Sequence, residues 1–372
     1  MNPRLFVGTR KGLFTFENQG SQDSPRWALA KKDFLSVPIT SVLHDPRDGS
    51  LYAALDHGHF GNKLHASRDG GETWEELAAP EYPKKEGAGQ EGEGDEDDAI
   101  ALRGIWALEA GGPNEEGLLW CGTLPGGLFR SEDKGRSWRL VESLWNSDSR
   151  KKWFGGGADV PAIHSVCVDP VDSRRVTIGV SCGGVQVTED GGETWRTSSK
   201  GMLAEFMPPD RQGDEDIQDP HCIVQCRDQP ANFWCQHHNG IWRSTNGGKT
   251  WDRIEEAGPS TFGFAVAVHP EDPDTAWFVP ATKDEARFPV DGKVVVTRTR
   301  DGGKTFDVLR EGLPQDEAYD LTFRHALDID SSGRHLAFGS TTGNLWFSPD
   351  QGDQWITLSH HLPPIYVVRF AG

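Results

Sequence analysis

Acidic, phenolic and imidazole side chains occur in the sequence where they could take part in acid–base or nucleophilic chemistry. The candidates for catalysis are Glu205, Asp219, His221 and Tyr319. Cleavage of a glycosidic bond uses two carboxylic acids on either side of the bond, or a tyrosine that acts as the nucleophile. These residue types are therefore compatible with glycoside chemistry, and the fold must set the separation that such a pair requires.

A second and larger set of side chains could bind a polar ligand. Arginines would orient carboxylates or hydroxyls, a tryptophan would stack on a sugar ring, and histidines and amides would exchange hydrogen bonds with the ligand. The candidates are Arg10, His57, His59, Trp153, His164, Gln236, His237, His238, Asn239, Arg287, Arg324 and His325. For any one of these histidines, a hydrogen bond to a backbone carbonyl or to water is the alternative interpretation.

A divalent metal ion is a further alternative that the histidines allow. Three imidazoles are a common ligand set, and the candidate trio is His164, His221 and His325. The adjacent residues His237 and His238 would point to opposite faces of one strand, so they do not form a ligand pair. The sequence therefore predicts no cofactor and keeps this trio as the candidate metal site.

The elements that must position these side chains are indicated by an eight-residue pattern, which recurs at intervals of about 47 to 64 residues. The pattern is S/T-x-D-x-G-x-T-W, as in SRDGGETW and TEDGGETW. Its hydroxyl and carboxylate accept backbone N–H groups within a tight turn, its glycine takes a positive φ, and its tryptophan anchors the turn by packing. Six copies are clear, and a seventh, SQDSPRW at 21–27, lacks the glycine. The residues with this predicted structural role are Ser67, Asp69, Gly71, Trp74, Ser131, Asp133, Gly135, Trp138, Thr188, Asp190, Gly192, Trp195, Ser244, Asn246, Gly248, Trp251, Thr299, Asp301, Gly303, Phe306, Ser348, Asp350, Gly352 and Trp355.

Each interval between copies has room for about four short strands and their turns, which predicts one blade of a β-propeller. The first unit supplies only three strands, and the chain ends in IYVVRFAG, which is typical of a further strand. The predicted fold is all-β, a seven-bladed β-propeller in which the two ends of the chain share one blade and leave no open sheet edge. The predicted blades span 1–34 with 364–372, 38–80, 100–144, 160–200, 219–257, 261–312 and 320–360, and an acidic flexible loop spans 84–99.

The composition excludes some classes of partner. The net charge of −19 repels the phosphates of nucleic acids and of anionic lipids, so neither nucleic acid nor a membrane is an expected partner. No run of 18 apolar residues occurs and no apolar leader follows the first residues, so a cytoplasmic location is expected. The six cysteines are expected to be free and buried, because a chain of this size does not depend on disulfides.

The repeats resemble the Asp box, or BNR repeat, of sialidases, sortilin-type receptors and photosystem II assembly-factor propellers, in which the box joins the third and fourth strands of a blade. Longer stretches, among them KKWFGGGADVPAIHS, QDPHCIVQC and WCQHHNGIWRSTNGGKTW, are similar to a bacterial family of seven-bladed BNR-repeat propellers described as sialidase-like or glycosyl hydrolase-like. The resemblance extends over essentially the whole chain. True sialidases have six blades and an F/Y-R-I-P motif, which this sequence lacks, so sialidase activity itself is not expected.

If the boxes join third and fourth strands, the alternation of strands places them beside the 1→2 turns on one face of the disc. The 2→3 and 4→1 loops then form the opposite face, here called the loop face, where the candidate site residues concentrate. The first strands line the central channel, so His164, His221, Arg324 and His325 are expected to converge near its mouth.

Two classes of function remain open on these grounds. The first is a carbohydrate-active or carbohydrate-binding propeller, either glycosyl hydrolase-like or a lyase acting on an acidic sugar, with an oligosaccharide or another small polar ligand on the loop face. The second is a non-catalytic scaffold that binds a protein partner, because propellers serve both purposes.

Overall fold

The computed structural model describes residues 3–21, 24–83 and 100–371. The predicted acidic loop 84–99 and two residues of the seventh box copy, 22 and 23, lie outside the described residues. In chain order the strands are β1 (Arg4–Thr9), β2 (Gly12–Asn18), β3 (Trp27–Asp33), β4 (Ile39–His44), β5 (Leu51–Asp56), β6 (Asn62–Ser67), β7 (Glu75–Leu77), β8 (Gly104–Ala110), β9 (Leu119–Leu124), β10 (Leu128–Ser131), β11 (Arg139–Leu140), β12 (Ala162–Val168), β13 (Val176–Ser181), β14 (Gly184–Thr188), β15 (Arg196–Thr197), β16 (Pro220–Gln225), β17 (Phe233–His237), β18 (Gly240–Ser244), β19 (Asp252–Ile254), β20 (Gly263–Val268), β21 (Ala276–Pro280), β22 (Val296–Thr299), β23 (Asp307–Leu309), β24 (Leu327–Ile329), β25 (Leu336–Gly339), β26 (Leu345–Ser348), β27 (Ile356–Ser359) and β28 (Ile365–Ala371). The described residues also include the helix α1 (Glu142–Trp145) and short 3-10 helices at Gly58–Phe60, Arg150–Lys152, Glu215–Ile217 and Val290–Gly292.

The strands pair into seven four-stranded antiparallel sheets, and each sheet is one blade. Six blades consist of four consecutive strands, beginning with β4, β8, β12, β16, β20 and β24. The remaining blade has the order β28-β1-β2-β3, with Val368 opposite Val7. The predicted seven-bladed propeller, with the two ends of the chain sharing one blade, is therefore confirmed.

The first strands of the blades form the inner ring of the propeller. β28, β4, β8, β12, β16, β20 and β24 contact one another in this order and close the ring around the central channel. The hydrophobic core lies between neighbouring blades, where Trp120 packs with Ile163 and where Trp277 packs with Phe338. These layers fix the first strands, and the side chains at their ends, relative to one another.

The boxes form the turns between the third and fourth strands of their blades. In the box at 188–195, the Thr188 hydroxyl oxygen accepts the Gly192 N–H (2.9 Å), and Oδ1 of Asp190 accepts the Thr194 N–H (2.9 Å). Gly192 has a φ of +99°, which a residue with a Cβ adopts only at a cost. The structural role that the sequence predicts for the box residues thus has a direct basis in hydrogen bonding.

The boxes lie beside the 1→2 turns of their own blades. The Gly191 N–H donates to the Arg174 carbonyl (2.8 Å), and the Gly302 N–H donates to the Asp274 carbonyl (3.0 Å). The 2→3 and 4→1 loops therefore occupy the other side of the disc, which is the loop face.

Two further expectations concern the cysteines and the membrane. All six cysteines are free thiols, and all but the half-buried Cys167 are buried. Among the described residues, no helix combines the length and the apolar character needed to cross a bilayer.

Candidate functional site

Three of the predicted residues, Asp219, His221 and His238, come together on the loop face of the blade that begins with β16. Asp219 immediately precedes β16, His221 is the second residue of that strand, and His238 lies in the turn from β17 to β18. Oδ2 of Asp219 is 3.6 Å from Nε2 of His221 and 3.4 Å from Nδ1 of His238. The His238 N–H also donates to the Asp219 carbonyl (2.9 Å). We call these three residues the Asp–His cluster.

Neighbouring groups hold the Asp–His cluster in a defined orientation. Oδ1 of Asp219 accepts hydrogen bonds from Oγ of Ser181 (3.0 Å) and from the Cys182 N–H (3.2 Å). Oδ2 is therefore the carboxylate oxygen that faces the imidazoles. Nδ1 of His221 is 2.7 Å from the Gly263 carbonyl oxygen, to which it donates, so Nε2 is the nitrogen that faces the carboxylate.

The pKa values of the cluster show how its charges interact. Burial by itself would raise the pKa of Asp219, but the neighbouring imidazoles of His221 and His238, together with the charge of Arg324, hold this pKa well below its usual value. Burial lowers the pKa of His221 despite the neighbouring carboxylate. Burial also opposes protonation of His238, but its hydrogen bond and attraction to Asp219 raise its pKa overall. His238 is therefore the more easily protonated of the two imidazoles.

Aromatic rings and guanidinium groups connect the Asp–His cluster to the channel. The His221 ring stacks on Phe264, with 4.5 Å between the ring centroids. The Arg324 guanidinium carbon lies 5.2 Å from the Phe264 centroid and 4.9 Å from the Trp106 centroid, and that of Arg287 lies 5.4 Å from Phe264. Such contacts between cations and ring faces are attractive. These contacts join side chains from four blades. Burial lowers the pKa of the Arg324 guanidinium.

Two cavities lie against these side chains. A cavity of about 640 Å³ occupies the central channel, and one of about 310 Å³ lies at the loop-face end of the first strands. Trp106, Arg324 and His325 line both cavities, so these three side chains stand between the channel and the loop-face pocket. Arg103, Phe323 and Tyr366 also line the loop-face pocket.

The predicted metal trio is not brought together. Nε2 of His325 is bonded to the His164 carbonyl oxygen (2.7 Å), and Nδ1 of His164 is 2.9 Å from Oγ of Ser165. Burial lowers the pKa of both histidines, to about 3 for His325. Both are therefore neutral at physiological pH, and His221 converges instead with the other members of the Asp–His cluster.

Three predicted ligand-binding residues lie inside the fold. Trp153 is 6% exposed and packs in the core between two blades, so neither face of its ring is free to stack on a sugar. Gln236 is buried, and its amide donates to three backbone carbonyls. His237 is buried between the N–H groups of Asp219 and Asn239, each 3.0 Å from a ring nitrogen. These contacts position the turn that carries His238.

Four predicted residues lie at the surface of the loop face. His57 and His59 contact the exposed ring of Phe60, with 5.6 and 5.7 Å between centroids. Arg10 is exposed, and Tyr319 is 65% exposed. None of these four belongs to the Asp–His cluster or lines the loop-face pocket.

The remaining predicted residues form local polar contacts. Glu205 pairs with Arg253, and its N–H donates to Oδ1 of Asn239 (2.9 Å). Arg287 pairs with Asp284, whose Oδ2 lies 3.8 Å from Nε2 of His238. Asp284 therefore borders the Asp–His cluster, whereas Glu205 is engaged elsewhere.

Sequence reasoning selected Arg324 and His325 but missed four other side chains that line the loop-face pocket, those of Arg103, Trp106, Phe323 and Tyr366. Trp106 is the third residue of β8, and the rule that first strands line the channel was sufficient to select it. Tyr366 lies in β28, where the sequence indicated only a strand that closes the ring. Arg103 and Phe323 precede first strands, in loops for which the sequence carries no distinguishing signal.

The sequence was compared with protein families and with characterised proteins. No protein-family model matches the sequence. The chain is 26% identical over 373 residues to an oligoxyloglucan-reducing end-specific xyloglucanase of Emericella nidulans, with 90% of this chain and 41% of that enzyme covered. The chain thus spans less than half the length of this relative.

Solved structures show the same propeller architecture. The GH74 xyloglucanase from Xanthomonas campestris matches with a TM-score of 0.63 at 19% identity, over 94% of this chain and 52% of that one. YCF48 bound to D1 peptide matches with a TM-score of 0.55 at 13% identity, over 92% of this chain and 88% of that one. At these identities the structural matches establish the fold alone.

Proposed function

We propose that this chain is an Asp-box propeller of glycoside hydrolase-like type that binds an oligosaccharide in the loop-face pocket. The observation that carries the proposal is the combination of rings and guanidinium groups around this pocket. Trp106, Phe323 and Tyr366 supply apolar faces, and Arg103 and Arg324 supply hydrogen-bond donors. A concave pocket with apolar walls and a few polar groups is the usual form of a small-ligand site.

The chemistry of these side chains suits a sugar better than an apolar ligand. The C–H faces of a pyranose ring pack on aromatic rings, while its hydroxyls, or the carboxylate of an acidic sugar, accept hydrogen bonds from guanidinium groups. The Phe323 and Tyr366 rings contact each other at 5.7 Å and form one continuous wall. The xyloglucanase similarity favours a carbohydrate over a protein partner as the ligand.

The proposal predicts that removal of a ring from the pocket weakens oligosaccharide binding, whereas removal of an exposed ring elsewhere on the same face does not. Tyr366→Ala should weaken oligosaccharide binding at least about tenfold, which corresponds to about 1.4 kcal/mol. Tyr319→Ala is the matched control, because Tyr319 is a tyrosine of the loop face that does not line the pocket. It should leave the Kd unchanged.

The measurement is isothermal titration calorimetry with xyloglucan oligosaccharides, uronic acid-containing oligosaccharides and sialylated oligosaccharides. A parallel assay for released reducing ends or unsaturated products separates binding from cleavage. If none of the three ligand classes binds, or if Tyr319→Ala weakens binding as much as Tyr366→Ala, the proposed site is wrong.

A further inference from the structure

We propose that the Asp–His cluster is a binding site for a divalent transition-metal ion of the zinc type, with Oδ2 of Asp219, Nε2 of His221 and Nδ1 of His238 as its ligands. Among the residues that the structure describes, these are the only three histidine, cysteine or acidic side chains whose ligand atoms all lie within 4.8 Å of one another. The inference is independent of the proposed carbohydrate function.

The distances within the cluster suit a tetrahedral ion. Zinc binds imidazole nitrogens and carboxylate oxygens at about 2.0–2.2 Å, so neighbouring ligand atoms in a tetrahedron are about 3.3–3.6 Å apart. The carboxylate oxygen of Asp219 lies 3.6 Å from the His221 nitrogen and 3.4 Å from the His238 nitrogen. The two imidazole nitrogens lie within 4.8 Å of each other, so a bound ion would draw these two nitrogens towards itself and towards the carboxylate oxygen.

The hydrogen bonds behind the cluster prepare its atoms for metal binding. Because Nδ1 of His221 donates to the Gly263 carbonyl, the lone pair of the neutral ring is on Nε2, which faces the carboxylate. A backbone carbonyl behind the imidazole is a common second partner of metal-binding histidines. Asp219 is held in a similar way by Ser181 and Cys182 through its other oxygen. A carboxylate oxygen and an imidazole lone pair face each other here, and a cation between them relieves their repulsion.

The ligand set also indicates which ion binds and from which side. Two imidazoles and one carboxylate favour zinc, cobalt or nickel over magnesium and calcium, which prefer oxygen ligands. The side chain of His238 is 20% exposed, whereas those of His221 and Asp219 are 3% and 7% exposed. The ion would therefore enter past His238 from the loop face, where the Phe206 ring lies 5.1 Å from that of His238.

Titration of the EDTA-treated 372-residue chain with Zn²⁺ and with Co²⁺ tests the proposal. We expect one equivalent of Zn²⁺ to bind and to raise the Tm, and Co²⁺ to give the visible absorption of a four-coordinate site. Mg²⁺ should do neither. His238→Ala should weaken Zn²⁺ binding at least about tenfold, and Asp219→Asn should do the same.

The matched control is the double variant His360→Ala, His361→Ala, which removes two exposed histidines of another loop. It should bind Zn²⁺ like the wild type. His238 is the most exposed member of the cluster, so His238→Ala keeps the test valid if Asp219→Asn fails to fold. The proposal is overturned if the wild type takes up less than one equivalent, if His238→Ala binds with unchanged affinity, or if the control variant loses binding equally.

Discussion

Ile365 offers a direct test of how the propeller closes. It is the first residue of β28, is fully buried, and belongs to the core between the last blade and the blade shared by the two termini. Its N–H donates to the Ser340 carbonyl (3.0 Å). Its side chain covers Gly339, where a Cβ atom would lie 2.5 Å from Cγ2 of Ile365. Ile365→Ala should therefore open a void at the joint that closes the ring.

The size of the effect follows from this packing. Replacing a buried isoleucine by alanine costs about 2–5 kcal/mol, and the cost is larger where neighbours cannot fill the cavity. Gly339 has no side chain with which to fill the cavity, so we expect Ile365→Ala to lower the free energy of unfolding by about 3–4 kcal/mol. With an unfolding entropy of about 2.1 cal/mol/K per residue, a chain of 372 residues should lose about 4 °C in Tm.

Calorimetric or circular-dichroism melting of two matched variants provides the assay. Ile356→Ala is the control, because Ile356 lies in the outermost strand β27 and is 43% exposed. This variant should lose less than about 1 kcal/mol of unfolding free energy. Deletion of residues 364–372 should lower the Tm much further. Equal losses for the two isoleucine variants, or a truncated chain that melts like the wild type, would refute the closure by β28.

Two further predictions concern the boxes and the channel. Thr188→Val should destabilise the protein by about 1–3 kcal/mol, because the buried Gly192 N–H loses its acceptor. Thr188→Ser should cost less than half as much in a urea melt, since other boxes use serine at this position, and equal losses would contradict the assigned hydrogen bond. Burial raises the pKa of Glu109 from 4.5 to about 7, with Arg369 acting in the opposite direction. Protonated Glu109 therefore makes its full contribution to the free energy of unfolding below about pH 4.5. Up to about 3 kcal/mol of this contribution is lost as the pH rises through 7 and the side chain becomes charged. Glu109→Gln should raise the Tm relative to wild type at pH 8 but not at pH 4.5, and a difference independent of pH would show that Glu109 does not titrate in this way.

The architecture could be predicted because its signals are local and repeated. A box such as 188–195 contains within eight residues the hydroxyl, the carboxylate and the glycine that close its turn, so its conformation depends little on the rest of the chain. The same pattern at regular intervals then gives the number of blades. The shortage of one strand at the N-terminus, together with the strand-like C-terminus, was sufficient to predict the shared blade.

The candidate site was predictable only in part. Asp219, His221 and His238 were all selected from the sequence, but as members of different groups, and His221 was assigned to a trio with His164 and His325. His237 and His238 were treated as two strand residues with opposite directions. In the structure the strand ends at His237, so that His238 lies in the turn, where its direction no longer follows the strand.

The sequence by itself therefore determined the repeat, the turn chemistry, the number of blades and the loops on which a site could form. Only the tertiary structure decided which side chains meet, because Trp106 and Arg324 come from blades far apart in the chain and touch only when the ring closes. The packing between blades sets these contacts, and no local pattern encodes them. For the same reason only the closed ring forms the loop-face pocket and the Asp–His cluster, which are two separate groups of side chains on one face.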